Sequence, residues 1–377
     1  MNVELLVFNN FNEAMFVETL KHMHDTGSSD AYITRGKKVY FKKDGEIMVA
    51  SKGIIDPSAY DNFLKSITTA AIPNVIRSGK PHSMGFSLKK AKLADGSISN
   101  LRFRIQIASC DSRKSMTMVV REIPLVPPNP EQLGLDESIV SVQLEFRHGI
   151  GFVCGATNSG KSTSIASLIK IMLLNIPRRI MSLEDPREFI YDMLLNPVGI
   201  IDQMEVPHDI GTYAEGIENA LRMSPDGIFV GEVRSMDTAD ALLQASETGH
   251  NILTTLHVGR GHLLFQRLAS FYQGEQRDRI ISKSIDQTNF ILVQKLIHRI
   301  DGGRVAVREF IVLDSQLKEQ LHRTKLDEIS VVLKKMIEDY GISMTADAMN
   351  LYNNEIISKD EHNSLCYTIA ELGHVIR

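Results

Sequence analysis

The spacing of hydrophobic and polar positions changes several times in the first third of the chain, which predicts a mixture of helices and strands. Apolar residues at helical spacing favour a helix over Glu13–His24 and a second helical region over Ser58–Arg77, interrupted by Pro73. Turn signals at Asp44-Gly45 and over Ala94–Ser97 separate strands that are short or alternate in polarity. Six strands are predicted, at Asp30–Ile33, Lys38–Lys43, Glu46–Ala50, Gly85–Leu88, Asn100–Ser109 and Met116–Arg121. Residues 1–122 are therefore expected to form an α+β domain.

The segment after the last of these strands is rich in proline. It contains Pro124, Pro127, Pro128 and Pro130. Because proline fixes φ and lacks an N–H donor, we expect residues 123–136 to be an extended linker between two domains.

Residues 137–377 alternate short apolar runs with helical spacing, a pattern typical of a parallel sheet. Each apolar run ends at a polar residue, and ligands bind at the carboxyl ends of strands in open α/β sheets. Strands are predicted at 150–154, 179–183, 228–231 and 252–256. The chain beyond about residue 275 is predicted to be mostly helical, including Ile329–Tyr340 and Thr345–Asn353.

Composition is that of an ordinary globular protein. The 377 residues are 43% hydrophobic and 23% charged. The net charge is −4, so the overall charge gives no indication of a nucleic-acid partner. Residues 1–125 carry 18 basic and 12 acidic side chains, whereas the remainder carries 24 and 34. The basic part could face acidic lipid or an acidic subunit, or it could simply be a solvated face.

Cysteine usage and apolar runs favour a cytoplasmic protein. Cys110, Cys154 and Cys366 are far apart, so we expect neither a disulfide framework nor a zinc ribbon. We interpret Cys154 as a small core residue of the strand before residue 155. Glu4 precedes the apolar stretch Leu5–Phe8 without a basic region, so no signal peptide is expected. No apolar run approaches the length of a membrane span.

Residues 155–162 fit the phosphate-binding pattern G-x-x-x-x-G-K-[ST] at every fixed position. The glycines allow a tight turn whose N–H groups converge on phosphate oxygens. Lys161 would place a cation on the β- and γ-phosphates, and the Ser162 hydroxyl is the expected Mg²⁺ ligand. A predicted strand precedes the loop and a predicted helix follows it, which favours nucleotide binding over a Gly-rich turn without ligand. The expected binding residues are Gly155, Ala156, Thr157, Asn158, Ser159, Gly160, Lys161, Ser162 and Thr163.

Two acidic segments follow predicted strands. Glu184, Asp185 and Glu188 place three carboxylates within five residues, which suits the positioning of metal and water, although a polar turn would look similar. Glu232 ends an apolar run, where a carboxylate at a strand tip can reach metal-bound water. The alternative for Glu232 is a charged strand end.

His250 and His257 lie seven residues apart across a predicted strand. An odd spacing along a strand places two side chains on opposite faces, so a metal-binding pair is not favoured. Each histidine could be a hydrogen-bonded structural residue or, beside the phosphate-binding loop, a sensor of the γ-phosphate or of a neighbouring carboxylate.

Four segments together carry a family resemblance. GATNSGKS, SLEDPREF, SPDGIFVGEVR and ETGHNILTTLH occur in the order and spacing of the Walker A, Asp box, Walker B and His box segments of the secretion ATPase superfamily. The chain resembles these hexameric motors of type II and type IV secretion and of type IV pili, with specific motifs over about residues 85–315. The resemblance implies an α/β fold, in which an N-terminal α+β PAS-like domain and a linker precede a RecA-like P-loop NTPase domain.

The resemblance also implies roles for single residues. Lys161 and Ser162 would bind ATP and Mg²⁺, and His250 would join the nucleotide-binding residues. Glu184 and Glu232 would lie at the metal together with Ser162. Arginines of the N-terminal domain would reach the nucleotide, although from the residues alone they are only polar faces of strands; they are Arg102, Arg104, Arg113 and Arg121. The expected catalytic residues are Lys161, Glu188, Glu232, His257 and Arg104.

Three departures from the superfamily pattern indicate which subfamily the chain resembles most. A four-cysteine zinc insertion is missing, Ser315–Leu321 replaces the Ala-Ile-Arg-rich helix of pilus-retraction motors, and Ser224-Pro225 stands where those motors often have Asp-Pro. These features resemble the type IVB (Dot/Icm) secretion ATPases.

This resemblance implies a homohexameric cytoplasmic ATPase, peripherally associated with the inner membrane, that powers protein export or assembly through a membrane-associated secretion complex. A type IV pilus retraction motor and a nucleotide-switched docking protein with slow turnover are the alternatives. The acidic P-loop half and the scarcity of aromatic residues argue against a nucleic-acid partner.

Overall fold

The computed structural model describes residues 5–8, 10–93, 98–123, 126–192 and 194–370. It consists of two compact units, Met1–Leu125 and Val126–Arg377. The turn predicted over Ala94–Ser97, the proline at position 124 and the side chain of Cys366 lie outside the described residues.

The first unit is an antiparallel sheet covered by three helices. Its helices are α1 (Glu13–Asp25), α2 (Pro57–Ile67) and α3 (Ile72–Arg77). Its strands are β1 (Asp30–Thr34), β2 (Tyr40–Lys43), β3 (Glu46–Val49), β4 (His82–Lys92), β5 (Ile98–Cys110) and β6 (Ser115–Ile123), in the spatial order β3-β2-β1-β6-β5-β4. All six predicted strands are therefore confirmed, with different ends.

The core of this unit follows from alternation along the strands. Phe103, Ile105 and Ile107 of β5 point to one face, where they are buried with Phe16 and Leu20 of α1. The intervening β5 side chains lie on the opposite face, as the period of two requires. The predicted helical region over Ser58–Arg77 is split into two helices, because proline is tolerated at the start of a helix but not in its interior.

The second unit is a seven-stranded sheet with helices on both faces. Its strands are β7 (Gly149–Cys154), β8 (Arg179–Glu184), β9 (Ile200–Glu205), β10 (Gly227–Val230), β11 (Asn251–Leu256), β12 (Thr288–His298) and β13 (Arg304–Val312). The spatial order is β13-β12-β7-β11-β10-β8-β9, and all neighbours are parallel except β12 and β13. The predicted parallel sheet and its four predicted strands are confirmed.

The helices of the second unit lie between and after these strands. They are α4 (Glu137–Glu145), α5 (Lys161–Asn175), α6 (Tyr213–Leu221), α7 (Met236–Glu247), α8 (Leu264–Ala269), α9 (Gln276–Gln287), α10 (Ser315–His322), α11 (Ile329–Tyr340), α12 (Met344–Asn353) and α13 (Lys359–Ala370). None of the described helices is long and apolar enough to cross a membrane.

The prediction of a mostly helical chain beyond residue 275 is wrong for residues 288–312, which form the antiparallel pair β12–β13. The run Phe290–Val293 is buried in the middle of the sheet, and a short continuous apolar run does not distinguish a central strand from a buried helix. Strand β9 was not predicted either, because it is an edge strand with partly exposed side chains.

Apolar clusters cover both faces of the seven-stranded sheet. On one face, Ile165 and Leu168 of α5 pack with Phe290 and Leu292 of β12. On the other face, Cys154 is fully buried in the cluster that includes α6 and α7, as the sequence predicted for this thiol. The carboxyl ends of β7, β8, β10 and β11 consequently meet at one edge of the sheet, where open α/β sheets bind ligands.

Candidate active site

The loop between β7 and α5 is shaped by glycine backbone conformations. Gly155 has φ +144° and Gly160 has φ +83°. A Cβ atom on Gly155 would collide with the carbonyl oxygen of Gln294 and with Ser159 Oγ. Helix α5 begins at Lys161 without a side-chain cap, so no side chain occupies the amides of its first turn. The loop and the helix N-terminus thus form a cradle that fits the phosphates of a nucleotide.

Lys161 is held at the opening of this cradle. Its Nζ donates to the carbonyl oxygens of Gly155 at 3.0 Å and Ala156 at 2.8 Å. Burial lowers the pKa of Lys161, while the negative charges of Glu232 and Glu188 act in the opposite direction. The Lys161 side chain is therefore largely removed from solvent and lies within electrostatic reach of carboxylates from the Walker B and Asp box segments.

Glu232 and His257 meet beside Lys161. Nε2 of His257 lies 3.6 Å from Oε2 of Glu232, and Oε1 of Glu232 forms an ion pair with Arg234. Burial and the charge of Lys161 lower the pKa of His257, and the Glu232 carboxylate opposes this shift. The lowered pKa favours the neutral form of His257 near pH 7. The structure thus brings together three of the predicted catalytic side chains.

The three carboxylates of the Asp box have different surroundings. Oε1 of Glu184 accepts hydrogen bonds from Ser182 Oγ at 2.7 Å and Gln203 Nε2 at 3.0 Å, and burial raises the pKa of this carboxyl. We expected Glu184 at the metal, but the structure gives it neutral donors within β8 and β9. Asp185 is exposed, whereas Glu188 is half-buried and its charge acts on Lys161.

The structure does not bring His250 to the phosphate-binding loop of the same chain. Its Nδ1 lies 3.1 Å from the carbonyl oxygen of Ala245, and its own carbonyl accepts from the amide of Gly149. Gly149 begins β7, whereas the loop follows the opposite end of that strand. The length of a six-residue strand, about 20 Å, separates the two ends. The predicted contact of His250 with nucleotide is therefore absent within one chain among the described residues.

The predicted arginines all lie in the first unit. Arg104 of β5 stands directly opposite Arg121 of β6, whose Nε donates to Asp30 Oδ1 at 2.7 Å. Arg102 is two residues from Arg104 along β5 and lies on the same face. Arg113 is in the turn that joins β5 to β6, with φ +69°, at the other end of the hairpin. Arg104 and Arg121 are thus neighbours, and Arg113 is remote from both.

Three residues near the loop were not selected from the sequence. Arg234 pairs with Glu232, as described above. Burial and the Glu232 charge raise the pKa of Tyr213, and a Cβ atom on Gly231 would lie 2.9 Å from its hydroxyl oxygen. Gln294 donates from Nε2 to the Ser159 carbonyl at 2.7 Å. Gln294 interrupts an apolar run, but its role could not be assigned without the partner Ser159, and nothing in the sequence indicated Tyr213.

The donor set fits a magnesium ion that is held mainly by phosphate. No cluster of three or more His, Cys, Asp or Glu side chains among the described residues is arranged to hold a metal by itself. Mg²⁺ is usually bound by one or two protein oxygens together with substrate phosphates. Ser162 at the start of α5 and Glu232 could supply such oxygens next to the cradle.

Comparisons with known proteins agree with this geometry. A family model described as Type II/IV secretion system protein matches residues 14–339. The type IV pilus ATPase PilU of Pseudomonas aeruginosa is 28% identical over 324 residues, which is 86% of this chain and 81% of that protein. The type IV pilus retractation ATPase PilT of the same organism is 29% identical over 60% of this chain and 64% of its own length.

Solved structures extend the comparison to the fold. The ATPase DotB of Legionella pneumophila matches with a TM-score of 0.87 and 26% identity, over 96% of this chain and 99% of that one. The pilus retraction motor PilT with bound ADP matches with a TM-score of 0.78 and 24% identity, over 96% and 99%. These likenesses identify the fold as a RecA-like P-loop ATPase domain preceded by an α+β PAS-like domain, which confirms the predicted fold class.

Proposed function

The chain belongs to the Type II/IV secretion system protein family, and from this premise we propose that it is a hexameric cytoplasmic ATPase. It hydrolyses ATP to power protein export or assembly by a bacterial type IVB (Dot/Icm) secretion system. It acts at the cytoplasmic face of the inner membrane on a membrane-associated secretion complex and has no nucleic-acid partner. The likeness to DotB over almost the whole of both chains supports this choice of system.

One observation carries the enzymatic part of the proposal. Glu232 and His257 are brought together by adjacent parallel strands, and the charge of Glu232 acts on Lys161 in the phosphate cradle. The Lys161 amine binds the β- and γ-phosphates in place of the loop carbonyls it now contacts. The Glu232 carboxylate accepts a proton from, or orients, the attacking water. Neutral His257 has one N–H donor, which can donate to the Glu232 carboxylate or to a phosphate oxygen.

A magnesium ion would be held by the Ser162 hydroxyl and the phosphates, with Glu232 beside it. When bound, it supplies positive charge that neutralises phosphate oxygens during transfer. Glu188 contributes a second carboxylate whose charge reaches the Lys161 amine. Glu184 is tied to Ser182 and Gln203, so we assign it the support of the Asp box rather than direct contact with the ion.

The remaining charge stabilisation comes from a neighbouring subunit in this proposal. Arg104 and Arg121 lie side by side on one face of the first unit, and Asp30 is ion-paired with Arg121. A cation supplied from another subunit stabilises the charge of the transferring phosphoryl group, as arginine fingers do. Arg104 is assigned this catalytic role, and Arg121 and Arg113 are assigned nucleotide contacts. The number of six subunits comes from the resemblance to the secretion ATPases, and the need for a donor in trans supports an oligomer.

Phosphate release from ATP tests the enzymatic part. Purified protein with Mg²⁺ is compared with Lys161→Ala, which removes the phosphate-binding cation, and with the matched control Lys334→Ala at an exposed position. We expect Lys161→Ala to lose nucleotide binding and turnover, and Lys334→Ala to behave as wild type. Turnover that survives in Lys161→Ala would overturn the proposed site.

A pilus retraction motor is the second candidate, because the similarity to PilU extends over 86% of this chain. Deletion of the gene distinguishes the two functions. Loss of surface movement with protein export intact would favour retraction, whereas loss of export with movement intact would favour the secretion system.

A further inference from the structure

Gln294 fastens the phosphate-binding loop to strand β12. Its Nε2 donates to the carbonyl oxygen of Ser159 at 2.7 Å, and its Oε1 accepts from Ser164 Oγ at 2.9 Å. Both ends of one planar amide are used, so the amide cannot turn without losing both contacts. The Gln294 side chain is buried. The backbone of Gly155 also packs closely against the main-chain carbonyl oxygen of Gln294. Two buried hydrogen bonds thus join the loop and the first turn of α5 to β12.

Arg308 fastens the neighbouring strand β13 to the proline-rich segment through which the chain enters the second unit. Its Nη1 donates to the carbonyl oxygen of Gly134 and its Nη2 to that of Leu133, both at 2.7 Å. These carbonyls belong to a short 3-10 turn, residues 131–134, which we call the linker turn. The guanidinium fork thus binds two consecutive carbonyls, a contact that a single ammonium group cannot reproduce.

Gln294 and Arg308 are direct cross-strand partners in the β12–β13 ladder. Both are buried on the face of the sheet that packs against α5, among Phe290, Leu292 and Phe310. Hydrogen bonds in such an apolar layer have no water to replace them, so they hold their partners more firmly than surface contacts do. A continuous series of contacts thus leads from the phosphate cradle to the linker turn.

We propose that Gln294 and Arg308 are positioning residues that couple nucleotide occupancy of the phosphate-binding loop to the linker turn. The inference rests on the proposed nucleotide site. Phosphate binding draws the Lys161 amine away from the carbonyls of Gly155 and Ala156 and orders the loop. Gln294 passes the new loop position to the β12–β13 pair, and Arg308 passes it to the linker turn.

Hydrogen exchange in the full-length protein tests the coupling. The amides of Leu133, Gly134 and Leu135 are hydrogen-bonded within or next to the linker turn and report its opening. Exchange is measured without nucleotide and with saturating ADP and Mg²⁺, and binding is measured separately with a fluorescent nucleotide. We expect nucleotide to slow exchange of these amides by about fivefold or more, the lower range of typical coupling between sites.

Substitutions separate coupling from mere support of the fold. Gln294→Met keeps the side-chain length and Arg308→Met keeps an unbranched apolar stem, and both remove the polar contacts. In both variants the ratio of exchange with and without nucleotide should fall to one. A residue with only a structural role would speed exchange in both states and leave this ratio intact. Arg299→Met is the matched control, because Arg299 lies in the turn of the same hairpin and pairs only with exposed Asp301 among the described residues. Arg308→Lys replaces Arg308→Met if the latter does not fold.

Lys170 of α5 offers a competing route, because its Nζ donates to the carbonyl oxygen of Pro127 at 2.8 Å, upstream of the linker turn. The inference would be overturned if the exchange ratio of the linker-turn amides fell to one in Lys170→Met but stayed as in wild type in the Gln294 and Arg308 variants. Wild-type protein that binds nucleotide without any change in the linker turn would also overturn it, while leaving the nucleotide site intact. Absence of nucleotide binding would overturn the proposed function, and the inference with it.

Discussion

His257 Nε2 lies 3.6 Å from Glu232 Oε2 at the edge of the sheet where β10 and β11 end. The two strands are parallel neighbours, so residues that follow their last positions are held side by side. Burial and Lys161 lower the pKa of His257 and thereby keep the imidazole neutral beside the carboxylate. This arrangement places the Glu232 carboxyl group beside the phosphate cradle, where an attacking water would lie.

Glu232→Gln should abolish turnover without abolishing nucleotide binding. The substitution keeps the shape of the side chain but removes the base, and general-base catalysis contributes about 10²–10⁴-fold. Phosphate release and fluorescent nucleotide binding measure the two properties separately. Glu319→Gln is the control, since Glu319 is exposed and pairs with Arg323 on α10. Equal turnover in Glu232→Gln and the control would contradict the role of Glu232.

The acidic limb of the pH–rate profile should lie below pH 6.5, the ordinary pKa of histidine. Because the pKa of His257 is lowered, its neutral form persists at pH 6.5 and is lost only as the pH falls further through the lowered value. Turnover measured between about pH 5 and 8 should lose this limb in His257→Gln. His322→Gln, at a surface ion pair with Asp286, should keep it. A limb with its midpoint above pH 6.5 would contradict the assigned environment.

Gly155→Ala should weaken nucleotide binding by about tenfold or more. The new Cβ atom would press on the carbonyl of Gln294, and alanine would be strained at φ +144°. Strain of this kind costs on the order of 1–3 kcal/mol. Gly53→Ala is the control, because a Cβ atom there would have no heavy atom within 4 Å. Unchanged affinity in Gly155→Ala would mean that the loop does not need its present shape.

Much of the fold could be predicted because local patterns agreed with the final structure. Helices such as Glu13–Asp25 are amphipathic and capped, and central strands such as Gly149–Cys154 are short apolar runs bounded by turns. Strands β12 and β13 form a local hairpin, but they were missed because the short apolar run of β12 does not by itself distinguish a central strand from a buried helix. The partner that makes β12 a central strand is β7, which is far away along the chain.

Site residues that belong to short motifs of consecutive residues could be predicted from the sequence. Residues that reach the site only because the fold brings distant parts of the chain together could not. The loop around Lys161 and the strand tip at Glu232 were located from sequence alone. His250 was expected at the nucleotide, but the direction of β11 carries it to the opposite edge. Gln294 could not be assigned because Ser159, its partner, is 135 positions away along the chain.

The carboxylates of the Asp box should divide their roles. Glu188→Gln should reduce turnover more than Glu184→Gln, because the charge of Glu188 acts on Lys161 while Glu184 is occupied by Ser182 and Gln203. Turnover numbers of both variants, corrected for the folded fraction, measure the difference. A larger loss of turnover in Glu184→Gln than in Glu188→Gln would contradict this division and favour a direct role of Glu184 at the metal.

Catalysis between subunits is tested by turnover per protein molecule across a range of protein concentrations, with molar mass recorded in parallel. Wild type is compared with Arg104→Ala and with the control Arg77→Ala, an exposed arginine of the same unit that contacts Asp61. We predict that turnover rises as a six-subunit species forms. Arg104→Ala should assemble equally well but lose about 10³-fold or more in rate, as the loss of an arginine finger does. Turnover that is independent of concentration in a monomer, or an Arg104→Ala hexamer that is as active as wild type, would contradict catalysis between subunits.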